Sequence, residues 1–103
     1  MPDPMLIRAV LKGETVEVKA LIAHVMETGQ RKDADGKLVP AHYIETLTAT
    51  CGGRQVFRAE WGASIARNPY LSFRFKGAQA GDKITLTWTD TAGASRSDEA
   101  TIR

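Results

Sequence analysis

Apolar and polar residues alternate with a period of two along most of the chain, which is the pattern of β-strands with one buried face. The clearest examples are residues 71–76, with the sequence LSFRFK, and residues 84–89, with the sequence ITLTWT. The last alternating stretch is mostly polar, so we predict that it lies at a sheet edge. Seven strands are predicted, over residues 5–12, 16–22, 42–51, 57–61, 71–76, 84–89 and 94–102.

Turn residues separate these strands. Gly52-Gly53 predicts a two-residue hairpin. The connection over residues 62–68 is expected to contain at most one helical turn, and it ends before Pro69 because a residue that precedes proline is pushed out of the helical region. The alternation changes phase between Ile44 and Leu47, which predicts a β-bulge there.

Short strands separated by frequent turns, in a chain of about 100 residues, are typical of an immunoglobulin-like sandwich. We therefore predict one domain over residues 1–103: an all-β, immunoglobulin-like β-sandwich of about seven antiparallel strands. The inward positions of the alternation give the predicted core: Ile7, Val16, Val18, Ala20, Ile22, Leu47, Phe57, Phe73, Ile84, Leu86 and Trp88.

One long segment, residues 26–40, breaks the alternation. It mixes cations with apolar residues and contains Asp35-Gly36, so we interpret it as a long loop or loose hairpin with its turn near residues 34–37. Its acidic residues do not fit a calcium-binding EF-hand loop, because the required glycine and glutamate fall at the wrong positions. Long loops in small domains are often functional, and a solvated hairpin is an equally weighted alternative to a partner-binding role.

The composition is that of an ordinary soluble globular protein. The 103 residues carry a formal net charge of +2, with 25% charged and 43% hydrophobic residues. So small a net charge does not indicate nucleic-acid binding. No apolar run approaches the roughly 20 residues of a transmembrane helix, and the first residues lack the features of a signal peptide. We therefore expect neither a membrane span nor an export signal.

Cys51, His24 and His42 are the residues that could carry chemistry. Two histidines and a cysteine can bind copper in a β-sandwich, but the segment after Cys51 lacks the further ligands that such a site takes from one loop. A Cys–His nucleophile is the second possibility, yet no third group or oxyanion hole accompanies it. We interpret Cys51 as a small, partly buried hydrophobic residue, and expect no catalytic residue, metal site or cofactor.

The same chain resembles a known family, SoxZ. The resemblance rests on the pattern H-x-METGQRKDADGK-x-x-P over residues 24–40, on Asn68-Pro69-Tyr70 and on Trp88. It covers nearly the whole chain, and the long segment is its most specific part.

The resemblance implies a non-catalytic subunit that pairs with a SoxY-type subunit in bacterial thiosulfate oxidation. In that family the sulfur intermediate is bound to a cysteine on the C-terminal arm of SoxY, which visits the other Sox enzymes in turn. The implied partners are therefore a SoxY-type subunit in a heterodimer and, transiently, other Sox enzymes. The implied location is the periplasm, reached by export together with the partner.

Several alternatives remain open. The chain could be a SoxZ-like carrier subunit of another periplasmic oxidation pathway, or a small thiol redox enzyme that uses Cys51. An unpaired cysteine can also form an intersubunit disulfide, and exposed sheet edges favour a homodimer of the isolated chain. Tyr70 is interpreted either as a core residue, which is slightly favoured, or as an interface aromatic. The predicted partner-binding residues are Met26, Arg31, Lys32, Asp33, Lys37, Leu38, Val39 and Tyr70.

Overall fold

The fold is all-β, as the alternation predicts. The structure is a computed structural model that describes residues 3–103. It contains seven antiparallel strands: β1 (Leu6–Lys12), β2 (Thr15–Leu21), β3 (Ile44–Cys51), β4 (Arg54–Glu60), β5 (Tyr70–Lys76), β6 (Lys83–Asp90) and β7 (Ser95–Thr101).

Two sheets face each other and form a sandwich. One sheet has the order β1-β2-β5, and the other has the order β4-β3-β6-β7. The polar strand β7 lies at an edge, as predicted. The predicted bulge is also present, because the pairing of β3 with β6 shifts between Ile44 and Thr46. Residues 61–69 connect β4 to β5 through turns without a helix.

The core lies between the two sheets and is built from the inward-facing residues of both. Nine of the eleven predicted core residues are buried, whereas Ile7 and Phe57 are only half-buried. Both lie on edge strands, where the second sheet covers only part of the side chain. The structure adds buried residues that the prediction left out: Met5, Ala9, Met26, Ile44, Ala49, Cys51, Phe75 and Ile102.

The end of the chain joins the two sheets along one side. The backbone of Arg103, which follows β7, accepts a hydrogen bond from Leu11 N at 2.8 Å and donates one to Ala9 O at 3.0 Å. Met5 N donates to the carboxylate of Asp98 on β7 at 2.9 Å. The two Arg103 bonds cover part of the free edge of β1. An uncovered strand edge tends to pair with other chains, so this coverage leaves less of the edge open to such pairing.

The outer faces of the two sheets differ in chemistry. The outer face of the four-stranded sheet, here called the hydroxyl face, is mostly Thr and Ser, and Thr87 and Ser97 share a hydrogen bond of 2.7 Å between their hydroxyl oxygens. The outer face of the three-stranded sheet, here called the basic face, carries most of the exposed Lys and Arg of the strands. The hydroxyl face consists of Thr46, Thr48, Thr50, Thr85, Thr87, Thr89, Ser95 and Ser97.

Among the described residues, no helix is long and apolar enough to cross a membrane.

Strand β6 allows a test of this two-sided arrangement. Leu86 is fully buried, whereas Thr89 on the same strand is exposed. We expect Leu86→Ala to lower the free energy of unfolding by about 3 kcal/mol through lost burial and a cavity, and Thr89→Ala to change it by less than about 0.5 kcal/mol. Urea denaturation measures both values. Similar losses for the two variants would contradict the assigned faces.

Candidate functional site

The most connected polar group in the described part of the chain is the carboxylate of Asp90, at the end of β6. Its Oδ2 atom lies 2.9 Å from Nε2 of His24 and 2.7 Å from Nε2 of His42. Its Oδ1 atom accepts backbone hydrogen bonds from Ala92 at 3.0 Å and Ala94 at 2.9 Å. The buried side chain of Asp90 thereby connects the β6–β7 turn with His24 and His42, which lie before and after residues 27–41 in the chain.

The hydrogen bonds of His24 determine which of its ring nitrogens carries the proton. Its Nδ1 atom accepts the backbone N–H of Met26 at 3.0 Å. A neutral imidazole that accepts at one nitrogen carries its proton on the other, so Nε2–H of His24 donates to Asp90. Burial acts to raise the pKa of Asp90, but the hydrogen bonds from His24, His42 and Ala94 outweigh it and hold that pKa below its usual value.

Met26 makes the bend that directs the chain out of the sandwich. Its φ is +49°, in the left-handed region, which costs a residue with a side chain about 1–2 kcal/mol. The bond to His24 fixes its N–H, and its Sδ atom accepts the N–H of Ile44 at 3.4 Å. Its side chain is 5% exposed. This side chain therefore packs in the core, and the predicted contact of Met26 with a partner remains a prediction.

Residues 27–42 form an extended hairpin, here called the arm. Glu27 and His42 pair at its base through two backbone hydrogen bonds of 2.7 and 3.0 Å. Lys32 and Leu38 pair further out, and Val39 N donates to Arg31 O at 2.8 Å. The predicted loose hairpin is confirmed.

The turn of the arm is held by Asp33. Its Oδ1 atom accepts the N–H groups of Asp35 at 2.9 Å and Lys37 at 3.0 Å, while its backbone pairs with Gly36 and Lys37. This arrangement is the usual way in which an aspartate side chain stabilises a turn. Asp33 therefore has a structural role in the arm, and its predicted contact with a partner remains a prediction.

The arm lies beyond the ends of the strands. The molecule measures 53 × 21 × 20 Å, whereas a strand of eight residues is only about 26 Å long. Thr28 and residues 30–38 of the arm are all exposed. The arm therefore presents most of its side chains to solvent.

The remaining six predicted partner-binding residues fall into two places. Arg31, Lys32, Lys37, Leu38 and Val39 lie on the arm, where Leu38 is 60% exposed and Val39 is half-buried. The guanidinium of Arg31 binds both carboxylate oxygens of Glu27 at 2.8–3.1 Å, and this contact holds the pKa of Glu27 below its usual value.

Tyr70 lies elsewhere, at the start of β5. It is 62% exposed, so the slightly favoured interpretation as a core residue is wrong. It lies on the outer face of the three-stranded sheet because it occupies an outward position of the alternation and pairs with Leu21.

Sequence reasoning missed the grouping of His24, His42 and Asp90. It considered the two histidines with Cys51, but β3 separates His42 from Cys51 by about 30 Å of extended chain. The available signal was the position of Asp90 at the end of the strand that pairs with the beginning of β3, which brings it beside His42.

The cluster of His24, His42 and Asp90 has the residue types of a metal site, with its ligand atoms within 4.8 Å of one another. Its hydrogen bonds do not suit a metal ion. A metal-bound histidine usually donates its second ring N–H to another group, whereas Nδ1 of His24 accepts a backbone N–H and leaves the proton on Nε2. Binding through Nε2 would break the Met26 bond.

A cavity of about 590 Å³ opens beside this cluster. Its walls contain charges of both signs, from Asp3, Asp90 and Arg67, together with Asn68 and Trp88. Nε1 of Trp88 is buried and has no hydrogen-bond partner among the described residues. Its ring meets the ring of His24 edge to face, with 5.1 Å between the centroids. The mixed charges favour no single class of ligand.

Cys51 lies at the opposite end of the sandwich, at the end of β3. It is buried, and its burial raises the pKa of its thiol; Asp82 raises that pKa further, against a smaller lowering by Arg54. A thiol with a raised pKa is a poor nucleophile at neutral pH. The interpretation of Cys51 as a small, partly buried hydrophobic residue is confirmed, and its burial is nearly complete, at 7% exposed.

The role of Asp90 can be tested with Asp90→Asn. The asparagine cannot accept all four hydrogen bonds, so we expect it to lower the free energy of unfolding at neutral pH by about 3 kcal/mol. Asp35→Asn, in the exposed turn of the arm, is the matched control and is expected to cost less than about 0.5 kcal/mol. Equal losses would contradict the structural role of Asp90.

The stability difference between wild type and Asp90→Asn should depend on pH. Because the pKa of Asp90 is lower in the folded state, its contribution to stability is present above the unfolded value of 3.8 and is lost as the pH falls through the folded value. The difference in stability between wild type and Asp90→Asn should therefore shrink on acidification from about pH 6 to about pH 2. A difference that grows would contradict this sign.

The environment of Cys51 predicts slow alkylation. We expect iodoacetamide at neutral pH to modify the folded protein at least roughly tenfold more slowly than a short cysteine peptide. The same reaction in denaturant should restore the rate of the peptide. A folded-state rate equal to or above the peptide rate would show an accessible, activated thiol.

Solved structures share this fold. A superoxide reductase in its oxidised state matches with a TM-score of 0.67 and 19% identity, over 99% of this chain and 89% of that chain. The hypothetical protein PH1083 from Pyrococcus horikoshii OT3 matches with a TM-score of 0.67 and 17% identity, over the same shares of the two chains. A superoxide reductase (neelaredoxin) from Archaeoglobus fulgidus has a TM-score of 0.59 and 21% identity, over 94% and 86%. At these identities the likeness shows the fold alone.

No curated protein matches the chain. A family match does cover nearly all of it: residues 6–101 match the family described as sulphur oxidation protein SoxZ. This span includes all seven strands and the arm, which agrees with the resemblance seen in the sequence. The chain therefore belongs to the SoxZ family and is a subunit of a Sox sulfur-oxidation system.

Proposed function

We propose that this chain is the non-catalytic subunit of a SoxYZ-type carrier complex in thiosulfate oxidation. It binds a SoxY-type subunit whose C-terminal arm cysteine carries the sulfur intermediate, and it presents that subunit to the other enzymes of the pathway. Membership of the SoxZ family supports this proposal.

The arm is the observation that carries the proposal. A hairpin of this length that buries so few of its own side chains gains little stability from its own contacts. Its base is nevertheless held by the hydrogen bonds of Asp90 to His24 and His42, in which Asp90 and His24 are buried and His42 is half-exposed. A surface held in one conformation loses less entropy on binding than a mobile one. A fixed, exposed arm therefore suits a binding role.

The contacts with the SoxY-type subunit are assigned to the outer part of the arm. Leu38 supplies exposed apolar area, and Lys32 and Lys37 beside it supply charge. An apolar centre with a polar rim is the usual composition of an interface. Arg31 supports the arm through Glu27.

A catalytic role for Cys51 has weaker support. The thiol is buried with a raised pKa, and it lies far from both histidines along β3. The sulfur-binding cysteine is therefore assigned to the partner. A SoxZ-like subunit in a different oxidation pathway would use the same arm with a different substrate on its partner.

The proposal includes a location. We place the complex in the periplasm, where the family works, and propose that this chain is exported together with its SoxY-type partner.

The binding role of the arm of this chain can be tested by co-expression with a SoxY-type subunit that carries its cysteine on a Gly-rich C-terminal segment. Size-exclusion chromatography detects the heterodimer, and titration measures its affinity. Leu38→Asp should weaken the heterodimer at least about tenfold, because burying an exposed leucine contributes about 1.5–3 kcal/mol. Leu6→Asp is the matched control, since Leu6 is 69% exposed but lies on β1. It should leave the affinity within about twofold.

Two results would contradict this proposal. If the wild-type chain and the SoxY-type subunit elute separately, the partnership is wrong. If Leu38→Asp binds as tightly as wild type, the partnership holds but the arm does not carry it.

A further inference from the structure

We propose that the basic face, the outer surface of strands β1, β2 and β5, is a docking surface for an acidic protein that binds the carrier transiently. The fitting partner presents clustered Asp and Glu next to a small apolar patch. This inference rests on the proposed carrier function, in which enzymes must bind the complex and then leave it.

The register of the three strands places the residues of the basic face side by side. Four cross-strand rows point outward, and each contains one residue from each strand. The burial of alternate residues confirms their direction, since Val16, Val18, Phe73 and Phe75 point inward to the core. The outward rows are Leu6–Leu21–Tyr70, Arg8–Lys19–Ser72, Val10–Glu17–Arg74 and Lys12–Thr15–Lys76.

These rows concentrate positive charge. Five of the twelve residues are cations and only Glu17 is an acid, so this one face has a larger positive charge than the +2 of the whole chain. The side chains of Lys12, Lys19 and Arg74 are 51–73% exposed. A positive surface of this kind attracts an acidic protein and raises its rate of association by about 10–10³-fold.

Glu17 reduces this charge only in part. Its side chain is 16% exposed, and its carboxylate oxygens lie 3.4–3.6 Å from nitrogen atoms of Lys12, Lys19 and Arg74. It therefore holds three cations around one point and leaves Arg8 and Lys76 outside this group. A partner with several carboxylates can replace solvent around all five cations.

An apolar row lies beside the cations. Leu6, Leu21 and Tyr70 pair directly across the three strands and are 69%, 45% and 62% exposed. A tyrosine is one of the residue types that most often anchor a protein interface, and polar residues form the rim of such an interface. Tyr70 is therefore the expected anchor, and the two leucines extend the apolar contact area around it.

The net positive charge is confined to the outer face of the three-stranded sheet, because the hydroxyl face of the other sheet has no such excess. The charged residues at its margins occur in opposite pairs: Arg58 binds Glu60 at 3.2 Å, and Lys83 binds Glu99 at 3.4 Å. Its centre consists of Thr and Ser. The two outer faces of one small sandwich therefore differ in net charge, which gives an acidic partner only one sheet face to recognise.

A protein fits this face better than a nucleic acid or an anionic membrane. Three strands span only about 10 Å between their axes, and the carboxylate of Glu17 lies in the middle. A row of phosphates would meet this fixed negative charge, whereas a protein surface can place a hydroxyl or an amide there. Tyr70 is the only aromatic side chain on the face, so bases find no series of stacking positions.

The test uses the heterodimer of this chain with its SoxY-type subunit in a reconstituted thiosulfate-oxidising Sox system. Arg8→Glu/Lys76→Glu reverses two exposed cations that do not contact Glu17. We expect kcat/KM for the carrier to fall at least about tenfold at low ionic strength with kcat unchanged, because docking is slowed and chemistry is not. The deficit should shrink at about 0.5 M NaCl, where charges are screened over a few ångströms.

Arg58→Glu/Lys83→Glu on the four-stranded sheet is the matched control, since it changes the net charge by the same amount. We expect it to alter kcat/KM by less than about twofold. An equal effect of the two double variants would overturn the proposal, because net charge rather than one face would then set the rate.

Other results assign the face differently. If Arg8→Glu/Lys76→Glu no longer co-elutes with the SoxY-type subunit, the face is the permanent interface and the proposal is overturned. Tight binding of a 20-base-pair DNA duplex or of phosphatidylglycerol vesicles that this variant loses would overturn it in favour of a polyanion or a membrane. Failure of the wild-type heterodimer to form overturns the proposed function itself, whereas an intact heterodimer with unchanged kcat/KM overturns only this inference.

Discussion

The carboxylate of Asp90 is the constraint on which the shape of this molecule depends. It accepts hydrogen bonds from His24, His42 and two backbone N–H groups of the β6–β7 turn. His24 passes the constraint on, because its second ring nitrogen accepts the N–H of Met26 at the bend into the arm. Removing one partner from a buried polar network leaves the others unsatisfied. The arm is therefore fixed by the same bonds that close one end of the sandwich.

The three exposed surfaces have different chemistry, and this separation suits a carrier subunit. The arm presents Leu38 at the end of a fixed hairpin, the basic face presents cations beside an apolar row, and the hydroxyl face has its charges paired. Apolar contact favours a lasting complex, whereas exposed charge mainly raises the rate of encounter. The proposed permanent and transient partners would therefore bind through different surfaces.

The prediction from the sequence was most accurate in the strands and least accurate at the base of the arm. The alternation of Phe73 and Phe75 with polar residues is decided locally, because neighbouring side chains of a strand point to opposite faces. Met26 illustrates the opposite case: a methionine in a polar, irregular segment is equally consistent with an exposed contact or with burial. Only its positive φ and its contact with Ile44 show that it belongs to the core.

The sequence by itself determined the seven strands, the inward positions of most of them, the polar edge strand and the family. These follow from periodicity and from motifs that are contiguous in the chain. The tertiary structure alone decided which distant polar residues meet. His24 is 66 residues from Asp90, and Cys51, although nearer to His42 in the chain, lies at the other end of β3. An extended strand carries neighbours in sequence far apart, while antiparallel pairing brings distant residues together, so contacts of this kind have no local signature.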